Sequence, residues 1–139
     1  MQKESIGRLI SLINRHHQKY LTKALEPYQI GSGQYAFLKV ILRNPGINQD
    51  QLTYELKFDK ATTARSVKKL EEVGYIERIV DEKDRRAFKL YPTRKAKAFE
   101  PTLQDVLGQS NEKLIQYLQP EEEEQLVRLL QKINIDHGK

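Results

Sequence analysis

At 139 residues, with 38% hydrophobic and 31% charged, the chain suits one domain with a single core, and its composition excludes wholesale disorder. It has no cysteine, which removes disulfides, thiolate catalysis, Cys-based zinc sites and a cysteine redox switch together. Net charge is +5, and the whole excess lies in residues 60–100, which hold 12 of the 24 Lys and Arg but 7 of the 19 Asp and Glu. Charge localised in this way suggests a polyanionic partner.

No stretch approaches a membrane span, and the start MQKESIGRLI lacks the apolar run of a secretory leader, so the expectation is a cytoplasmic protein without a membrane partner. Residues 4–25 place Ile6, Leu9, Ile10, Ile13, His17, Tyr20, Leu21 and Ala24 at helical spacing, and Glu26-Pro27 ends that helix. A second helix is expected over residues 32–43, burying Tyr35, Phe37, Leu38, Ile41 and Leu42, with Asn44-Pro45-Gly46 as its turn. Asn48 and Gln51 have the spacing of a capping box for a short third helix. Asp59 caps a fourth, which Gly74 terminates, so Lys57-Phe58-Asp59 joins the two into a helix-turn-helix.

YIERIV and AFKLYP then alternate in the strand manner around Asp81-Glu82-Lys83-Asp84-Arg85-Arg86, which predicts a hairpin. Thr93 caps a long helix to about residue 118 that Pro101 should kink or interrupt, and Pro120 starts a last helix to about Asp136. The expected class is mainly α (α+β). A winged helix-turn-helix at residues 31–92 lies between an N-terminal helix at 1–30 and C-terminal helices at 93–139.

The fourth helix is the candidate recognition element. On a helical wheel Ala61, Ala64, Val67 and Leu70 form an apolar stripe, while Thr62, Arg65, Ser66 and Lys69 gather opposite it. Hydroxyls and cations on an outward face suit base edges and phosphates in a major groove, and Thr63 is counted with them. A plain solvated face would also carry Lys and Thr. What sets this one apart is the basic hairpin directly downstream. Its tip, with Asp84, Arg85 and Arg86, is expected to reach a minor groove or the backbone, and Asp84 to orient one of the arginines.

Residues 45–98, PGINQDQLTYELKFDKATTARSVKKLEEVGYIERIVDEKDRRAFKLYPTRKAKA, resemble the winged-helix core of the MarR/SlyA family of transcriptional regulators. The resemblance rests on the order of three motifs. Leu70-Glu71-Glu72-Val73-Gly74-Tyr75-Ile76-Glu77-Arg78 comes first, then the wing from Asp81 to Arg86, then Leu90-Tyr91-Pro92-Thr93. Lys57 stands where the family usually has glycine, and Thr93-Arg94-Lys95-Ala96 departs from its Thr-x-x-Gly opening.

The resemblance implies a homodimer whose terminal helices interlock, and a roughly palindromic double-stranded DNA site regulated by repression. It also implies a small aromatic or anionic effector, for which Arg15, His17, Tyr20 and Tyr35 are candidate contacts. Leu126, Val127, Leu129, Leu130, Ile133 and Ile135 exceed what one small domain easily covers, which agrees with a shared layer. No cofactor or metal is expected, and His16, His17 and His137 form no catalytic or zinc pattern. The remaining alternative is a winged helix that binds only protein.

Overall fold

The structure is a computed structural model that describes residues 4–134. Six α-helices and a two-stranded antiparallel sheet occur in the expected order among them: α1 (Ile6–Leu25), a 3-10 turn (Glu26–Tyr28), α2 (Tyr35–Arg43), α3 (Gln49–Leu56), α4 (Lys60–Val73), β1 (Ile76–Val80), β2 (Phe88–Pro92), α5 (Arg94–Leu114) and α6 (Pro120–Ile133). Ile135, Asp136 and His137 lie outside the described residues. No described helix is long and apolar enough to cross a membrane.

The caps form as the residues require. Asn48 Oδ1 accepts the Gln51 N–H at 2.8 Å and Gln51 Oε1 accepts the Asn48 N–H at 2.9 Å, closing a capping box on α3. Gly74, at φ 92°, ends α4 in the left-handed conformation that glycine adopts without strain. Lys57 ends α3 in the same conformation, at φ 60° and ψ 31°. There a side chain costs about 1–2 kcal/mol. Its ammonium sits 4.3 Å from the Tyr54 ring centroid, which offsets part of that cost.

Two helices, α2 and α5, differ from expectation. α2 starts at Tyr35 rather than at residue 32, because the Gln34 side chain folds back to accept the Gly31 N–H at 2.7 Å and holds residues 31–34 as a turn. Pro101 does not interrupt α5: it sits exposed inside a continuous helix, where it forgoes one backbone hydrogen bond on the solvent side. α5 ends at Leu114, short of residue 118, in a further turn closed by the Leu118 N–H on the Ile115 carbonyl.

β1 and β2 pair from Ile76↔Pro92 to Val80↔Phe88. An unexpected bridge, Ile47↔Leu90, adds the chain before α3 to the other edge of β2. The Gly46 N–H donates to the Leu90 carbonyl at 2.7 Å and the Leu90 N–H to the Ile47 carbonyl at 2.9 Å. Gly46 makes this approach at φ 95°, and a Cβ there would meet the Tyr91 hydroxyl at 3.4 Å.

The core lies beneath this hairpin. Phe37, Leu38 and Ile41 of α2, Leu52 of α3, Val67 and Leu70 of α4, Leu90 of β2 and Leu103 of α5 are almost fully buried together. Tyr28, Phe99 and Tyr75 stack beside them, with centroids 4.9 and 5.4 Å apart, and the Tyr75 hydroxyl donates to the Tyr28 carbonyl at 2.7 Å. The ends of the chain are different. Ile6, Ile13, Leu129 and Ile133 are each more than half exposed.

Candidate nucleic-acid interface

The first turn of α4 is organised by one carboxylate. Asp59 Oδ1 accepts the Thr62 N–H at 2.7 Å and Asp59 Oδ2 accepts the Thr62 hydroxyl at 2.9 Å. The Thr62 oxygen in turn accepts from Arg65 Nη2 at 3.2 Å. The backbone bond from Thr62 and then its hydroxyl hold the Asp59 carboxyl below its ordinary range, against an opposing desolvation that exceeds the help from the Arg65 charge. Arg65 is thus held in the first turns of the helix, and among the described residues its other N–H donors have no side-chain partner.

The outward face of α4 is rotated by somewhat less than one residue from the expected one. Thr63 and Ser66, expected to face a ligand, are buried at 1% and 4% exposure, whereas Ala61 and Ala64 of the expected stripe are exposed. Alanine loses little by facing water, while a threonine can be buried if its hydroxyl is satisfied. That of Thr63 is: it donates to the Asp59 carbonyl at 3.0 Å and accepts from the Thr53 hydroxyl at 2.9 Å. The exposed row is therefore Ala61, Arg65, Lys68 and Glu72, flanked by Thr62 and Lys69. Lys68 was missed. Its i+3 spacing from Arg65 was the available signal.

The hairpin tip is ordered by its own aspartates. Asp81 Oδ1 accepts the Lys83 N–H at 2.9 Å and Asp84 Oδ1 the Arg86 N–H at 3.1 Å. Asp84 also pairs with Arg86 Nε at 3.6 Å, although the Arg86 side chain is 95% exposed. Arg85 is exposed and makes no ion pair among the described residues. At the base, Arg78 Nε pairs with Glu71 at 3.2 Å and its guanidinium lies 4.9 Å from the Phe88 ring, which fixes the hairpin to α4.

Two of the four candidate effector contacts are engaged by α5. His17 Nδ1 and the buried Ser110 hydroxyl share a hydrogen bond at 2.9 Å, and Lys113 lies 5.1 Å over Tyr20, so both α1 side chains are engaged by α5. Arg15 is exposed, and Tyr35 is half-buried with its phenol pushed up by desolvation. A separate cleft of about 310 Å³ lies between α2 and α5, with Leu42, Leu103 and Leu107 as its floor and Lys39, Arg43, Glu100 and Gln104 around them.

Known proteins similar to this chain in sequence and architecture agree with one another. The MarR family model matches residues 28–87. The HTH-type transcriptional regulator YybA of Bacillus subtilis (strain 168) is 34% identical over 128 residues, covering 92% of this chain and 85% of that one. The crystal structure of a MarR transcriptional regulator from Methanosarcina mazei Go1 is 40% identical, covers 94% of each chain and superposes with a TM-score of 0.87. A MarR family transcriptional regulator from Listeria monocytogenes, solved in complex with a 26mer DNA, is 27% identical with a TM-score of 0.85, covering 94% of this chain and 87% of that one. A winged helix with a cation-bearing fourth helix, an arginine-tipped hairpin and these relatives belongs to the MarR family of transcriptional regulators.

Proposed function

We propose that this protein is a homodimeric repressor that binds a roughly palindromic site in double-stranded DNA through α4 and the wing. The observation that carries the reading is the set of exposed cations Arg65, Lys68 and Lys69 beside the half-buried Thr62, with Arg65 aimed by the Asp59 and Thr62 hydrogen bonds. α4 lies in the major groove, where Arg65 reads a base edge and the lysines meet phosphates. Arg85 and Arg86 reach the adjacent minor groove. Neither the exposed lysine row nor the arginine tip has a use in a module that binds only protein, and the company of transcriptional regulators disfavours that alternative.

Apolar residues on the outer sides of α1 and α6 support the dimer, since a second copy would cover them and set two α4 helices about one DNA turn apart. An aromatic or anionic effector, with salicylate as its probe, would relieve binding. Beside the candidate contacts Arg15, His17, Tyr20 and Tyr35, the α2–α5 cleft, with an apolar floor and Lys39, Arg43 and Glu100 around it, is a second place for such a ligand.

Selection from a random duplex pool, followed by titration at several salt concentrations, tests the reading. Arg65→Ala should reduce discrimination between the selected site and random duplex by about 1–3 kcal/mol. Lys69→Ala should weaken both duplexes alike and lower the salt slope by about one unit. Enrichment of no site, or identical behaviour of the two variants, refutes it. Salicylate at millimolar concentration should displace operator beyond a sodium chloride control of equal ionic strength.

A further inference from the structure

Three consecutive carbonyls where α4 passes into β1 all accept from the first residues of α5. Lys95 Nζ donates to the Val73 carbonyl at 2.7 Å, the Thr93 hydroxyl to the Gly74 carbonyl at 2.6 Å, and the Thr93 N–H to the Tyr75 carbonyl at 3.0 Å. The Lys95 ammonium also lies 4.6 Å over the Tyr75 ring, which is itself bonded to the Tyr28 carbonyl and packed on Phe99. A helix leaves its last carbonyls without helical partners, and a cation near that end also complements the helix dipole. Here the cation comes from another helix, 22 residues along the chain from the Val73 carbonyl it serves.

We infer that Lys95 is a positioning residue for DNA reading, fixing the axis of α4 on α5, and is not itself a phosphate contact. Its charge lies within the basic segment, where by composition alone it would count among the DNA-binding cations. Its geometry assigns it otherwise, because the ammonium is spent on a carbonyl and a ring. The consequence lies at the far end of the helix. At about 1.5 Å per residue, Thr62 stands about 16 Å from Val73, so a tilt of about 5° displaces it by about 1.4 Å. A base-edge hydrogen bond tolerates about 0.5 Å. Phosphate attraction, which falls off gradually with distance, is nearly indifferent to such a tilt.

The inference rests on the DNA-binding reading, and the test separates the two. Wild type, Lys95→Met and Lys95→Arg are titrated with the selected operator and with random duplex at four salt concentrations, below the onset of melting of each variant. Methionine keeps an unbranched apolar stem against Tyr75 but has no donor and no charge. Wild type that fails to prefer the operator overturns the DNA-binding reading, and the inference with it. With that preference in place, Lys95→Met should bind operator three- to tenfold more weakly, bind random duplex as wild type does, and keep the wild-type salt slope. Lys95→Arg, which retains charge and donors, should recover most of the loss. Equal weakening on both duplexes with a salt slope lower by about one unit makes Lys95 a phosphate contact and overturns the inference. Unchanged operator affinity in Lys95→Met overturns it as well.

Discussion

The winged helix and the terminal helices use apolar residues in opposite ways. Around the hairpin, Phe37, Leu38, Ile41, Leu52 and Leu90 are at 0% exposure, so this part completes its core within one chain. On α1 and α6, Ile6, Ile13, Leu129 and Ile133 range from 52% to 66% exposed. Both regions carry apolar residues at helical spacing, and only one has neighbours to cover them. Amphipathic periodicity therefore reports that a face will be covered, without reporting whether the cover comes from the same chain.

The contrast is sharpest where a substitution should unfold one region and leave the other folded. Phe37→Ala removes a fully buried ring that stacks 5.3 Å from Phe58. It should cost about 3–5 kcal/mol by urea denaturation. A cost under about 1 kcal/mol would mean that the winged-helix core also depends on its surroundings.

Paired substitution Leu126→Glu with Leu130→Glu, one turn apart on α6 at 38% and 45% exposure, should do the reverse. Helical content should persist while light scattering falls from twice the 16.3 kDa chain mass to that mass. Operator affinity should fall about a hundredfold, or about 2.7 kcal/mol. Retained dimer mass would place the shared layer elsewhere.

Smaller effects sharpen the boundary within the winged helix itself. Lys57→Gly relieves the left-handed side chain at φ 60° but frees the unfolded chain and loses the Tyr54 contact. The net should be a gain of about 0.5 kcal/mol in urea. A loss of stability would show that the lysine–tyrosine contact outweighs the backbone strain.

The Asp59 cap supplies a pH test with a definite sign. Its folded value lies below the ordinary 3.8, so its contribution is complete above that pH and is lost as the pH falls through the lowered folded value. Asp59→Asn should be less stable than wild type at neutral pH, and the difference should shrink as the pH falls from 3.8, where the unfolded carboxyl takes up its proton, through the lowered folded value. A difference that stays constant down to pH 2 would detach the cap from its charge.

The elements were legible because their ends carry local chemistry. Asn48 with Gln51, Asp59 with Thr62, and Thr93 with Ala96 all form the capping bonds that their spacing implies. The rotation of α4 was not legible, since Ala61, Thr63, Ala64 and Ser66 differ too little in size and polarity to fix a face. The buried side of Thr63 is matched by a hydrogen bond from Thr53, ten residues before it, that periodicity does not register. The Ile47↔Leu90 bridge was hidden for a related reason: a single pairing leaves no alternation to read. At the wing, the positions of Asp84 and Arg86 were readable because both partners lie within one turn.

That single pairing has a consequence for the duplex. Through Ile47, the segment leading into α3 is joined to β2, and through Glu71 and Arg78, α4 is joined to β1. Helix and wing are thus connected to one another within the protein before any encounter with a duplex. A duplex that bends to meet both elements would do so at a cost that depends on its steps, and would then be discriminated at base pairs the protein never touches.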